Sequence, residues 1–123
     1  MPKKRKIENI TTNKKVEQYA LLAPMIDSIL LEIKDFSKKK QDEVLNKLKV
    51  NMVNKILSQV KDLLSGEPTI NFLELLDDET LPTNSDAVLI IAQYRAALDH
   101  FNVKYYRKDK NTYSNRWHTK ENP

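Results

Sequence analysis

One stretch of the sequence leaves little choice about its fold. Leu45, Leu48, Met52, Ile56, Val60 and Leu63 recur at intervals of three and four, and Val44, Val53, Leu57 and Leu64 widen the stripe. That period belongs to an amphipathic α-helix, because a half-buried strand would alternate every second residue. The intervals suit packing in a globular domain better than a strict heptad, whose next core position after Met52 is Lys55. Ser65-Gly66-Glu67-Pro68 ends the stripe: Gly66 can adopt a left-handed conformation and Pro68 forbids continuation. Asp42 and Glu43 suit the first turn of this helix, since acids favour its N-terminal dipole and the lysines of Ser37–Lys40 do not.

The same period appears on both sides. Val16, Tyr19, Leu22, Ala23, Ile26, Ile29, Leu30, Ile33 and Phe36 share one face, interrupted by Pro24. Proline removes a backbone donor and disfavours helical geometry just before it. The expectation is a short helix up to Leu22 and a second from Pro24 to Phe36. Thr69–Leu76 reads as a short helix with Asn71 and Glu74 in capping-box spacing. After an acidic loop over residues 77–84, Ser85 caps a last helix, Asp86–Asn102, whose Ala87–Ala92 run is apolar on nearly every face. Such a helix is central or shared with a partner. The fold class expected is all-α: a small bundle of three to five helices over residues 15–102, a disordered basic arm over 1–14 and a basic-aromatic tail over 103–123.

Composition closes off several functions. With no Cys there is no disulfide framework, thiolate metal site or thiol nucleophile. His100 and His118 are the only histidines, and the lone glycine excludes a phosphate-cradling glycine loop. No cofactor or metal is expected, and the acids Asp77, Asp78 and Glu79 lack the central glycine and alternating ligands of a Ca²⁺ loop. No run reaches the roughly 20 apolar residues of a membrane span, and Met1–Lys15 lacks an apolar leader core. An intracellular, soluble protein with no membrane partner is expected.

Charge is segregated. Residues 1–15 hold six cations against one acid, and residues 103–123 hold six against two, so the centre is acidic. Gly66–Tyr94 carries six acids and no Lys or Arg. Basic stretches invite phosphate or an acidic protein surface.

Three constellations could carry function. Lys3, Lys4, Arg5 and Lys6 form a string that resembles the viral large-T type of nuclear localisation signal, which implies an importin partner and a nuclear location if the source is eukaryotic or a nuclear virus, and a cytoplasmic one otherwise. In the tail, Tyr105, Tyr106, Tyr113 and Trp117 alternate with Lys104, Arg107, Lys108, Lys110, Arg116 and Lys120. Cations track phosphates while aromatics stack on bases, so Lys104, Tyr105, Tyr106, Arg107, Lys108, Arg116 and Trp117 are the candidate DNA or RNA contacts. The same aromatics suit docking on a protein, or folding back over the open end of the helices. Finally, Arg95 and His100 have the R-x4-H spacing that resembles the ribonuclease motif of HEPN domains, which implies a metal-independent attack by a ribose 2′-hydroxyl. Five residues are about 500° of helix, which leaves the two side chains some 140° apart. Arg95 also has Asp99 at i+4 as an ion-pair partner.

The function expected is that of a non-enzymatic interaction protein, a small subunit or adaptor of a complex in the nucleus. Its basic ends contact nucleic acid or an acidic surface. Val88, Ile91, Arg95, Leu98 and Phe101 on the last helix are the expected interface for a protein partner or self-association. The alternatives are the HEPN-like ribonuclease and a purely structural oligomeric subunit.

Overall fold

The computed structural model describes residues 9–123, so Lys3, Lys4, Arg5 and Lys6 lie outside the described residues. The chain is a small, mostly helical fold of three α-helices, α1 (Asn13–Lys39), α2 (Lys47–Leu63) and α3 (Asn84–Tyr105). A two-stranded antiparallel sheet follows, β1 (Tyr106–Lys108) with β2 (Asn115–Trp117), and a 3-10 turn at Pro68–Phe72 separates α2 from α3. Among the described residues no helix is long and apolar enough to cross a membrane.

Helix α1 is continuous through Pro24, where two helices were expected. Leu22, Ala23, Ile26, Leu30 and Ile33 form one buried stripe that spans the proline. Burying a large aliphatic side chain contributes about 1.5–3 kcal/mol, so the shared stripe outweighs the ~3 kcal/mol cost of one interior proline. Pro24 itself is exposed, as is Ala20, whose carbonyl loses its partner and can turn to water. Thr12 Oγ1 accepts from the Lys15 amide at 3.2 Å to start the helix. Lys38 and Lys39 occupy its last turn rather than a separate basic loop, where their charge favours the C-terminal dipole.

Helix α2 starts later than expected, at Lys47, because Asn46 Oδ1 caps the Lys49 amide at 2.9 Å. Asp42 and Glu43 belong to a loop that pairs with the segment before α3: the Leu45 amide donates to Pro82 O at 2.9 Å and the Asn84 amide to Glu43 O at 2.8 Å. The buried row is Val50, Val53, Leu57, Val60 and Leu63, while Leu48 and Met52 are exposed. Gly66 takes φ +88°, the left-handed stop read from the sequence.

Residues 73–76 are not helical. Asn54 binds both sides of the Leu76 backbone, accepting from its amide at 2.9 Å and donating to its carbonyl at 2.8 Å. Tyr94 Oη donates to Glu74 O at 2.6 Å. These contacts satisfy an extended strap that buries Leu73 and Leu76. Burial and the nearby Glu74 charge push the Tyr94 phenol up to about 12. Helix α3 is capped by Thr83, not Ser85: Thr83 Oγ1 accepts from the Asp86 amide at 3.1 Å. It packs mainly on α1 through Ala87, Ile91, Tyr94, Leu98, Phe101 and Tyr105.

Candidate nucleic-acid interface

Residues 106–123 turn back on the helices. Tyr106 pairs with Trp117, Arg107 with Arg116 and Lys108 with Asn115 across the β1–β2 hairpin. Asp109 shapes its loop: Oδ1 accepts from the Asn111 amide at 2.7 Å, the Asp109 amide donates to Ser114 O at 2.8 Å, and Oδ2 accepts from Arg116 Nε. The Arg116 hydrogen bond, followed by the Asn111 amide, holds the Asp109 carboxyl below its ordinary range. Like charges facing each other across strands are destabilising. Asp109 offsets that repulsion at the Arg107–Arg116 pair by neutralising Arg116.

The hairpin docks through aromatics. Trp117 lies 5.3 Å from Tyr19 and 5.2 Å from Tyr106 between ring centroids, and Phe101 stacks on Tyr19 at 5.6 Å. Tyr105 is buried at 4.9 Å from Phe101, and its Oη donates to Glu67 Oε2 at 2.6 Å. Lys104 Nζ binds the other oxygen of the same buried carboxylate at 3.2 Å. Burial raises the Tyr105 phenol, and its hydrogen bond to Glu67 adds to the shift. For Lys104, burial works against the charge, but Glu67 outweighs it and holds the ammonium above its ordinary value. Tyr105 and Trp117 are therefore packed within an aromatic cluster, and Lys104 is paired.

The residues nearest the N-terminal arm are stitched to this hairpin. Thr11 bridges to Thr119: its amide donates to His118 O at 3.0 Å, and its carbonyl accepts from the Lys120 amide at 2.9 Å. Arg107 Nη1 donates to Asn9 O at 3.1 Å. Residues 9–12, which lead into Lys14 and Lys15 at the start of α1, thus meet the basic hairpin at one pole of the described residues. There, Arg107, Lys108, Lys110 and Arg116, together with Asp109, His118 and the C-terminal Pro123, line a cleft of about 380 Å³.

Tyr106 and Tyr113 keep exposed rings at this pole. Tyr113 sits in the hairpin loop at φ +59°, a left-handed conformation that is an outlier for a bulky residue. Lys110, Lys120 and Tyr113 thus join the site beyond the residues assigned from sequence. Their signal is the Asp109–Ser114 run of turn-forming side chains between segments rich in strand-favouring aromatics.

The other assigned residues lie elsewhere. Ile91, Leu98 and Phe101 are buried in the chain's own core, where their face packs on α1, and Val88 is half-buried at its margin. Arg95 pairs with Asp99 at 2.7 Å and with Asp27 of α1 at 3.1 Å, while His100 is exposed. Among the described residues no three acids or histidines are grouped to hold a metal ion. Compared with known proteins, the chain matches no family model, no curated protein and no solved structure.

Proposed function

We propose that this protein is a non-enzymatic interaction subunit, built as a small helical bundle, that grips single-stranded nucleic acid with its basic pole. The observation that supports this reading most is the cluster of exposed lysines on the hairpin, beside a cleft and against residues 9–12. Lys108, Lys110 and Lys120 are exposed and suited to phosphate, and Tyr113 offers an uncovered ring for a base, whereas Arg116 is held by Asp109 and Arg107 by the Asn9 carbonyl. Stacking falls to Tyr113 and Tyr106, since Tyr105 and Trp117 are engaged with Phe101 and Tyr19. The commitment of the Arg95 guanidinium to Asp27 and Asp99 favours binding over ribonuclease chemistry.

The test is fluorescence anisotropy of a labelled single-stranded oligonucleotide. Lys108→Glu with Lys110→Glu should weaken binding at least about tenfold, with the circular dichroism spectrum unchanged. Affinity equal to that of the wild type would exclude this surface.

Lys3, Lys4, Arg5 and Lys6 precede the described residues, and an importin would read that string. A reporter fused to residues 1–8 should accumulate in nuclei and should cease to do so when Lys4 is replaced by Ala. Uniform cytoplasmic distribution of the intact fusion would end the import reading.

A further inference from the structure

Two apolar surfaces of opposite charge remain uncovered. The first is a groove of about 370 Å³ between α1 and α2, lined by apolar Ile29, Ile33, Phe36, Leu48, Met52 and Ile56 with Glu32 and Lys49 as its two charged side chains. Leu48 is 69% and Met52 58% exposed, and Lys49 Nζ sits 4.3 Å over the Phe36 ring. Past Phe36 and Lys49 the groove runs into a second cleft that adds Lys39, Lys40 and Val44. From Ser37 to Lys49 the chain holds five lysines against Asp42 and Glu43, so this end is basic.

The second surface is a cleft of about 270 Å³ lined by Phe72, Glu74, Leu89, Ile90 and Gln93. Phe72 is 74% and Leu89 64% exposed. The acids Asp77, Asp78, Glu79 and Asp86 are exposed on the same segments, and no Lys or Arg occurs between Gly66 and Tyr94.

We infer that copies of this chain associate head to tail, with Phe72 and Leu89 of one copy entering the α1–α2 groove of the next. A chain does not fill its own groove: Met52 lines the groove and Asn54 holds the strap, and two residues apart on a helix is about 200° of rotation. The two surfaces therefore lie on opposite flanks of α2. Each copy offers one groove with a basic end and one knob, the exposed Phe72 and Leu89 side chains at the lip of the acidic-rimmed cleft. The pair is charge-complementary and heterologous, so addition continues beyond a dimer. This inference stands apart from the nucleic-acid reading, because it uses none of the residues of the basic pole.

Sedimentation velocity over a concentration series tests it. The wild-type chain should form species larger than a dimer whose size grows with concentration. Leu48→Glu spoils only the groove and Phe72→Glu only the knob. Both positions are exposed, so both variants should fold, and each alone should lower the association constant at least about tenfold. Mixed together, they should form a one-to-one dimer and nothing larger, because one intact groove meets one intact knob. A wild-type chain that stays monomeric would overturn the proposal and leave the groove to a foreign partner. A mixture that stays monomeric while the wild type assembles would also overturn it, since the binding surface would then be elsewhere.

Discussion

Tyr113 combines a costly backbone with an uncovered ring. Holding a bulky residue at φ +59° costs on the order of 1 kcal/mol, and nothing in the packing of the hairpin recovers it, since the side chain is largely exposed. Glycine would adopt that conformation freely. Tyr113→Gly should therefore retain or raise thermal stability while weakening oligonucleotide binding by about 1 kcal/mol or more. Parallel melting and anisotropy curves would show the two effects moving in opposite directions.

Asp109 has a contrasting role, in the shape of the loop rather than in binding. Its carboxyl is depressed by Arg116 and the Asn111 amide, so the contribution of its charge is complete above the ordinary aspartate value of 3.8. That contribution is lost as pH falls through the lower, folded value. Fluorescence of Trp117, the only tryptophan, should report the hairpin loosening below about pH 4. In Asp109→Asn that acid transition should be missing.

At the scale of elements, Pro24 is the clearest conflict between local preference and packing. The apolar stripe of α1 runs through it, and α3 and α2 together bury that stripe. Pro24→Ala restores one backbone hydrogen bond on the exposed side and should stabilise the chain by about 1–3 kcal/mol in chemical denaturation. A drop in stability would mean that the proline ring packs in a way the alanine cannot replace.

The helical period of α2 was legible in the sequence, but its facing was not. Val44, Leu45, Leu48, Val50, Met52, Val53, Ile56 and Leu57 are apolar around more than half of the helix. Packing against α1 and the strap at Leu73–Leu76, rather than the period itself, set which side of α2 enters the core. The strap was unreadable because its backbone is satisfied by side chains of Asn54 and Tyr94, which lie 18 to 22 residues away. Strands of three residues, mostly polar, gave no alternation from which the hairpin might be inferred.

For the whole molecule, the sequence showed that charge is segregated but not that residues 9–12 meet the basic hairpin. That meeting depends on the Thr11–Thr119 bridge and on Trp117 docking against Tyr19, neither of which has a local signature. Packing around the hairpin also made two of the three candidate stacking residues, Tyr105 and Trp117, structural. The result is a molecule with a basic pole at the hairpin and an acidic face at the strap and the start of α3. Under the proposed function, such a charge distribution would orient a polyanion toward the hairpin.

The most direct test of a single basic pole is the salt dependence of oligonucleotide binding, compared among the wild-type chain, a chain with Lys108, Lys110 and Lys120 replaced by Gln, and one with Lys3, Lys4, Arg5 and Lys6 replaced by Gln. If the two stretches form one phosphate-binding surface, the plot of log affinity against log salt becomes shallower in both variants, by about 0.7 for each phosphate that is no longer neutralised. A wild-type slope near zero, or a slope that either replacement leaves unchanged, would contradict it.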